Sequence, residues 1–151
     1  MHVGSNNERY KYVMNGTELE STEIEKDLGV YVMADLKVSS QCLQAYKKAS
    51  QLLGMVGRTI NSKLPLILVS IYKSIVHHHL AFFSPAWSPR YKKDGELLEK
   101  IQHRFTRLFS HLRKLSYSDR LKALVLWTLE ERRNRIDIIE VFKMVKGILS
   151  I

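Results

Sequence analysis

The spacing of apolar residues changes near residue 37, and this change most constrains the fold of the chain. Before it, Tyr10, Tyr12 and Met14 alternate with other residues, which is typical of a strand. After it, apolar residues recur at three- and four-residue steps, the repeat of an amphipathic helix. The pattern predicts an α+β fold that is mainly α, with a small amino-terminal β hairpin or strand unit followed by a bundle of about five helices.

Two segments carry the strand signals of the amino-terminal part. Asn15-Gly16 follows the alternating run and indicates a two-residue hairpin turn, because both residues tolerate positive φ. A polar acidic stretch through Glu25 comes next, and the apolar segment 28–33 then predicts another strand. Gly29 inside this strand indicates a bulge or a close backbone approach.

Capping residues and helix breakers divide the remaining sequence into helices. Starts are expected at Ser39 or Ser40, at Pro65, at Asp94 as the cap of a helix over roughly 95–112, at Ser116 or Ser118, and at Thr128. The last start is a capping box with Glu131, and Gly147 is the expected end of that helix.

The second of these helices is expected to lie at the centre of the core. From Pro65 to about Phe83 it is apolar almost all round, a composition typical of a helix that is buried on every side. Ile71 and Ile75, one turn apart on it, are therefore predicted to be buried.

Several conspicuous side chains have structural interpretations. The consecutive histidines 77–79 point about 100° apart on a helix, so they cannot converge on one metal, and a polar helix end near basic surface is favoured. Cys42 is expected to be a small buried hydrophobe. Trp87 and Trp127 are expected to fill the core rather than to stack on nucleic-acid bases.

The sequence lacks the motifs that an independent enzyme would need. No phosphate-binding glycine loop, nucleophile elbow or zinc signature occurs. The aspartates are scattered, whereas two-metal phosphoryl transfer requires clustered carboxylates. We therefore expect no catalytic residue, no metal and no cofactor, and no enzyme activity of this chain alone.

Composition and cysteine usage limit the class of protein. Of the 151 residues, 45% are hydrophobic and 26% are charged, which are globular values. No apolar run reaches the length of a transmembrane helix, and no apolar signal follows Met1. The single cysteine favours a reducing compartment. An intracellular location, nucleus or cytoplasm, without a membrane partner is expected.

Charge is distributed unevenly along the chain, whose net charge is +9. Residues 1–36 hold three basic and seven acidic groups, whereas residues 37–151 hold 21 basic and eight acidic groups. A basic carboxy-terminal part favours a polyanionic partner, nucleic acid before an anionic membrane. A basic surface without a specific partner is the alternative.

The third helix is predicted to carry a row of basic residues on one side. Six basic residues fall at steps of three and four and gather within an arc of about 100°, opposite the apolar side. They are Lys100, His103, Arg104, Arg107, His111 and Lys114. Lys47 and Lys48 on the first helix complete the predicted nucleic-acid-binding set. The row holds no acidic residue, which favours phosphate binding over a merely solvated face.

Six segments, in one order, resemble the carboxy-terminal part of reverse transcriptases of LINE-type, non-LTR retrotransposons, including jockey-like mobile elements. They are YKYVMNGTEL, EKDLGVYVMADLKVSSQC, AYKKASQLLGMVGRTI, IYKSIVHHHLAFFSPAWSPRYKKDGELLEKIQHRFTRL, LSYSDRLKAL and TLEERRNRIDIIEVFKMVKG. The resemblance covers essentially residues 2–147.

The resemblance implies a division of the chain. The family's catalytic fingers and palm lie upstream and end in a Tyr/Phe-Ala-Asp-Asp signature, so this chain is expected to begin just after it. Residues 1–36 then correspond to the end of the palm, 37–114 to a thumb-like helical bundle and 115–151 to a post-thumb helix pair. Leu28-Gly29 resembles the primer grip, where Gly29 would let the backbone approach the DNA strand.

The sequence departs from the family at two sites. The family usually has Arg-Pro and then Glu where this chain has the stretch from His77 to Ala81, and Leu-Gly-Leu where this chain has Leu124-Val125-Leu126. These differences are consistent with relaxed selection or with ordinary divergence.

The function that the resemblance implies is binding of template–primer duplex, RNA/DNA or other nucleic acid, by a catalytically incomplete fragment. A separate polymerase palm in trans is a second implied partner. Three alternatives stay open: a non-catalytic helical protein-interaction domain, a decaying remnant without function, and a polymerase that works only with that separate palm.

Overall fold

Two separate β hairpins open the chain in a computed structural model, which describes residues 1–4, 6–60, 64–82 and 84–148. In the first, β1 (Val13–Met14) pairs antiparallel with β2 (Thr17–Glu18). In the second, β3 (Ile24–Asp27) pairs antiparallel with β4 (Val30–Met33). The Asn15-Gly16 turn is confirmed, because both residues have positive φ, 52° and 79°.

The second hairpin differs from its predicted form. Leu28 and Gly29 form its turn, with φ of 46° and 87°, so the strand predicted over 28–33 begins only at Val30. The acidic stretch before it contains β3, which the sequence did not indicate. The strand β3 has the sequence Ile-Glu-Lys-Asp, with a single apolar residue, so it lacks the apolar alternation that indicates a strand. All four of its residues are exposed.

Helices make up most of the described chain, which confirms the α+β, mainly α class. They are α1 (Ser39–Thr59), α2 (Pro65–Ile71), a π-helical turn (Tyr72–Val76), α3 (His77–Ala81), α4 (Ser84–Trp87), α5 (Lys92–Thr106), a 3-10 turn (Ser110–Leu112), α6 (Tyr117–Ala123) and α7 (Leu129–Val145). None of the helices in the described ranges is long and apolar enough to cross a membrane.

The caps of the last two helices are as predicted. The Ser116 hydroxyl accepts from the Asp119 amide at the start of α6. Thr128 and Glu131 form the capping box of α7. Gly147, with φ of 64°, follows the end of α7 as expected.

The predicted caps of α1 and α5 are wrong. Val38 and Tyr91 precede these helices and make no side-chain cap. Ser39 instead donates from Oγ to Asp94 Oδ2 over 2.7 Å. The two residues that the sequence offers as caps thus bond to each other and join the first turns of the two helices.

The core lies between α1, α5 and the helical segment 65–81. The buried residues that these elements contribute include Cys42, Ala49, Leu53, Leu68, Tyr72, Val76, Leu80, Leu98, Ile101 and Phe105. Cys42 is fully buried as predicted, and burial raises the pKa of its thiol to about 12.

The helix predicted to be central buries only one side. The buried residues of the segment 65–81 include Leu68, Tyr72, Val76 and Leu80, which are four residues apart. The π-helical turn has more residues per turn than an α-helix, so a four-residue step stays on one side there. Ile71 is half-buried and Ile75 is 38% exposed, so the prediction for Ile75 is wrong.

The two tryptophans have different environments. Trp87 is buried as predicted, and its indole Nε1 donates to the Phe82 carbonyl oxygen over 2.7 Å. Trp127 is 54% exposed, so its predicted place in the core is wrong. Arg135 lies over the Trp127 ring, 5.0 Å from the centroid.

The histidine run is only partly a polar helix end. His77 is buried against the edge of Tyr72, and burial together with nearby arginines lowers its pKa to about 4. His78 is exposed and His79 is half-buried. Within the described ranges no three His, Cys, Asp or Glu residues lie close enough to hold a metal ion.

Candidate nucleic-acid interface

Helices α1 and α5 pack side by side in the same direction. Ser39 of α1 bonds to Asp94 of α5, and Ser50, further along α1, bonds to Arg104. Gly57 then lies close to Leu108, which follows α5. This parallel pair carries most of the predicted binding residues.

The predicted row of six cations does not follow one helix. α5 ends at Thr106, and the Arg107 and Leu108 amides donate to carbonyls only three residues back. His111 lies in the 3-10 turn and Lys114 beyond it. The tighter turn buries Phe109 and Leu112, whose spacing in the sequence continues the apolar pattern of the helix.

Three cations of α5 and Arg107, which directly follows its last residue, share one face. Lys93, Lys100, Arg104 and Arg107 fall within an arc of about 60° at 100° per residue, and all four are exposed. We call these residues the α5 basic stripe. Lys93 was missed because the helix was expected to begin at 95. Glu96 lies just beyond the edge of the stripe and pairs with Lys92, Nζ to Oε1 at 3.9 Å.

The α5 basic stripe borders a shallow groove between α1 and α5. Arg104 donates from Nη1 to Ser50 Oγ over 2.7 Å, which fixes its guanidinium across the groove. The groove is lined by Leu53, Gly54, Gly57, Arg104, Arg107 and Leu108. Lys47, one turn before Ser50 on α1, is exposed on the same flank.

Two other predicted residues lie away from this groove. His103 stacks on Tyr117, with ring centroids 3.5 Å apart, and burial lowers its pKa, as do Arg120 and Arg107. The lowered pKa disfavours the charged imidazolium, so His103 is a weaker candidate for phosphate binding than the lysines and arginines. Lys48 lies near His79 on the other flank of α1, where burial, His78 and Lys48 lower the pKa of His79.

Arg113 is a further cation at the end of α5 that the sequence did not single out. Its Nε donates to the Arg107 carbonyl oxygen over 3.1 Å. This carbonyl is one of the unpaired acceptors at a helix carboxy terminus, where a cation is favoured. No periodic signal could have found it, because Arg113 lies outside the helix.

The side of α5 away from the stripe is held by the last two helices. Tyr117 of α6 donates from its hydroxyl to the Glu99 carboxylate, which also accepts from the Leu129 amide of α7. Burial raises the pKa of Glu99, while these hydrogen bonds oppose the rise. Gln102 donates to the Trp127 carbonyl oxygen over 2.7 Å. These bonds fix the orientation of α5 and leave the stripe facing outward.

The predicted primer-grip pair occupies the tip of the second hairpin. Leu28 is 84% exposed there. A Cβ added to Gly29 would lie 3.4 Å from Cε1 of Phe82. The close approach that the glycine permits is thus made by a side chain of the same protein. Contact of these residues with a DNA strand stays a prediction.

The chemistry available at the groove is the binding of anions. Guanidinium and ammonium groups bind phosphate oxygens by charge-assisted hydrogen bonds.

Comparison with known proteins finds no matching family model, no similar curated protein and no similar solved structure.

Proposed function

We propose that this chain is a catalytically incomplete fragment related to the thumb of non-LTR retrotransposon reverse transcriptases, and that it binds nucleic-acid duplex through phosphates. The observation that carries the proposal is the α5 basic stripe beside the α1–α5 groove. Lys47 adds a cation on the same flank of α1. Phosphate contacts supply affinity without base readout, so binding is independent of sequence.

The length of the stripe suits a run of phosphates. Lys93 and Arg107 are 14 residues apart, which corresponds to about 20 Å along the helix axis. Successive phosphates of one strand advance about 3.4 Å along a duplex axis. The stripe therefore spans several phosphates, and its four cations can contact more than one of them at once.

The turn between α6 and α7 supports the relationship to the family independently. Leu126 donates its amide to the Leu121 carbonyl and Val125 to the Lys122 carbonyl, the two bonds of a Schellman motif. Val125 has φ of 52° at the position that this motif usually gives to glycine. This is the residue that replaces the glycine of the family's Leu-Gly-Leu.

The main test is a salt titration of binding to an RNA–DNA duplex. The variant with Lys100→Glu, Arg104→Glu and Arg107→Glu should bind more weakly at low salt. Its slope of log affinity against log salt should fall by about one unit for each phosphate that the variant no longer neutralises. All three side chains are exposed, so the variant should remain folded. Circular dichroism checks this.

A matched control reverses the same number of charges elsewhere. Lys26→Glu, Lys73→Glu and Lys122→Glu change exposed lysines on β3, the π-helical turn and α6. This control should retain the parent's salt slope. Equal weakening by both triple variants would mean that net charge alone drives binding. Parent-like binding by the stripe variant would favour the protein-interaction domain instead.

The catalytic part of the proposal has a separate test. With primer–template, Mg²⁺ and nucleotides, the chain alone should extend no primer, because two-metal transfer needs clustered carboxylates. Primer extension by a nuclease-free preparation would overturn the proposed lack of catalysis and leave the binding test unaffected.

A further inference from the structure

Helix α7 leaves an apolar side exposed over most of its length, and its half-buried residues beyond Arg133 are Ile136, Asp137, Glu140 and Lys143. Its buried residues are Leu129 and Arg133, and the Arg133 side chain is only 6% exposed. Phe142 is 55% exposed, and Ile138 and Val145 are more exposed still. A helix of a globular protein normally buries its apolar side. The exposed apolar side therefore marks an interaction surface.

Six residues define this surface, which we call the α7 outer face. They are Arg135, Ile138, Ile139, Phe142, Val145 and Lys146, and they fall within an arc of about 120°. Within residues 129–146, all of which the structure describes, Glu131 is the one acidic residue on this arc. Its carboxylate accepts from the Thr128 amide and hydroxyl in the capping box. The α7 outer face is thus an apolar row between the cations Arg135 and Lys146, with the Glu131 carboxylate held in the capping box one turn before Arg135.

We infer that the α7 outer face docks an acidic amphipathic helix of a partner protein. Ile138, Phe142 and Val145 have the i, i+4, i+7 spacing by which two helices exchange apolar anchors. Arg135 and Lys146 at the ends of the row complement carboxylates flanking the partner's own apolar stripe. The net charge of +9 also attracts an acidic partner at longer range.

The same residues disfavour the other occupants. Two copies of this chain would bring the cations Arg135 and Lys146 of each copy to one interface, and each copy carries +9. Single-stranded nucleic acid stacks on open aromatic rings. Here Arg135 lies 5.0 Å from the Trp127 centroid and Lys146 lies 6.0 Å from that of Phe142. The remaining contacts of the face are aliphatic, which suits a protein helix.

The experiment uses the full chain and a labelled synthetic peptide of about 20 residues. The peptide has leucine at i, i+3, i+4 and i+7 and glutamate at the flanking positions, and a second peptide has lysine in place of every glutamate. The parent should bind the glutamate peptide and not the lysine peptide in an anisotropy titration. Equal binding of both peptides, or of neither, would overturn the inference.

Variants on the two sides of α7 localise the binding. Phe142→Glu should weaken binding of the glutamate peptide at least about tenfold, as expected for a central anchor. Met144→Glu is the matched control, because Met144 is an exposed apolar residue on a different side of the same helix, and it should bind as the parent does. If Met144→Glu weakens binding as much as Phe142→Glu, the α7 outer face is not the docking site.

A charge exchange tests complementarity without changing the apolar anchors. The variant with Arg135→Glu and Lys146→Glu should lose the glutamate peptide and gain the lysine peptide. Self-association of the parent in light scattering, if abolished by Phe142→Glu, would identify a second copy as the occupant instead. Flotation with vesicles of anionic phospholipid, if abolished by the same change, would identify a membrane surface instead. Either result overturns the inference.

Discussion

The ring of Tyr72 lies flat on the ring of Phe105, with centroids 4.0 Å apart and planes 11° from parallel. Both side chains are fully buried, and Phe105 also meets Phe109 edge-on at 5.5 Å. The Tyr72 hydroxyl donates to Gln102 Oε1 over 3.0 Å. This contact joins the π-helical turn to α5, and so fixes the helix that carries the basic stripe.

Truncation at this contact should cost much of the stability of the protein. Phe105→Ala removes a fully buried aromatic ring, so the free energy of unfolding should fall by about 3–5 kcal/mol. Ile75→Ala, on the exposed side of the π-helical turn that carries Tyr72, should cost less than about 1 kcal/mol. Urea denaturation of both variants measures the two losses. A comparable loss from Ile75→Ala would contradict the placement of this side chain outside the core.

His77 should make the protein less stable in acid. Its pKa is about 4 in the folded protein, against 6.5 ordinarily, mainly because burial disfavours the charged imidazole. The contribution of neutral His77 to the free energy of unfolding is fully present above pH 6.5 and is lost as the pH falls towards 4. The pKa difference between the folded and unfolded protein corresponds to a loss of about 3 kcal/mol of this free energy.

Comparison of two variants isolates this contribution. His77→Gln removes the titrating group, so its unfolding free energy should depend less on pH between 6.5 and 4 than that of the parent. His78→Gln changes an exposed histidine and should keep the parent's pH dependence. Urea denaturation at several pH values gives both profiles. A parent-like profile for His77→Gln would assign the acid sensitivity to other groups.

Local signals in the sequence predicted the fold where a few neighbouring residues decide the geometry. The Asn15-Gly16 turn, the Thr128 capping box and the Gly147 helix end depend on residues within a few positions of each other. Burial of Cys42 followed from the three- and four-residue spacing of its helix. The mainly helical class followed from the same periodicity.

Features that depend on contacts between distant residues were not predictable. Ser39 and Asp94 are both good capping residues, yet they bond to each other across 55 positions. The length of the basic stripe depended on where α5 ends, and Phe109 beyond that end is buried just as a helical residue would be. Exposure of Trp127 depends on how α7 packs, which the composition of the loop does not encode.

Gly29→Ala should lower stability without weakening duplex binding. Gly29 has φ of 87°, which alanine adopts only with strain, and the added methyl would lie in contact with the Phe82 ring, 3.4 Å from Cε1. The expected loss of unfolding free energy is about 1–2 kcal/mol. The affinity for RNA–DNA duplex, measured well below the melting temperature, should match that of the parent. Weaker binding by the folded variant would instead favour the primer-grip role of this hairpin tip.

Val125→Gly should stabilise the protein. α6 and α7 both end in Schellman motifs, with Val125 and Gly147 at the same position and with φ of 52° and 64°. Valine is strained at positive φ, whereas glycine is not, and Val125 is 77% exposed, so its side chain contributes little packing. The free energy gained by relief of this strain should exceed the entropic cost of the added flexibility of glycine in the unfolded chain, for a net gain in stability of about 1 kcal/mol.

Ala123→Gly, two residues earlier in the last turn of α6, is the matched control for Val125→Gly. It adds the same flexibility without relieving strain, so it should lower stability by about 0.5–1 kcal/mol. Thermal denaturation should therefore shift in opposite directions for the two variants, and a loss of stability in both would show that Val125 is not strained.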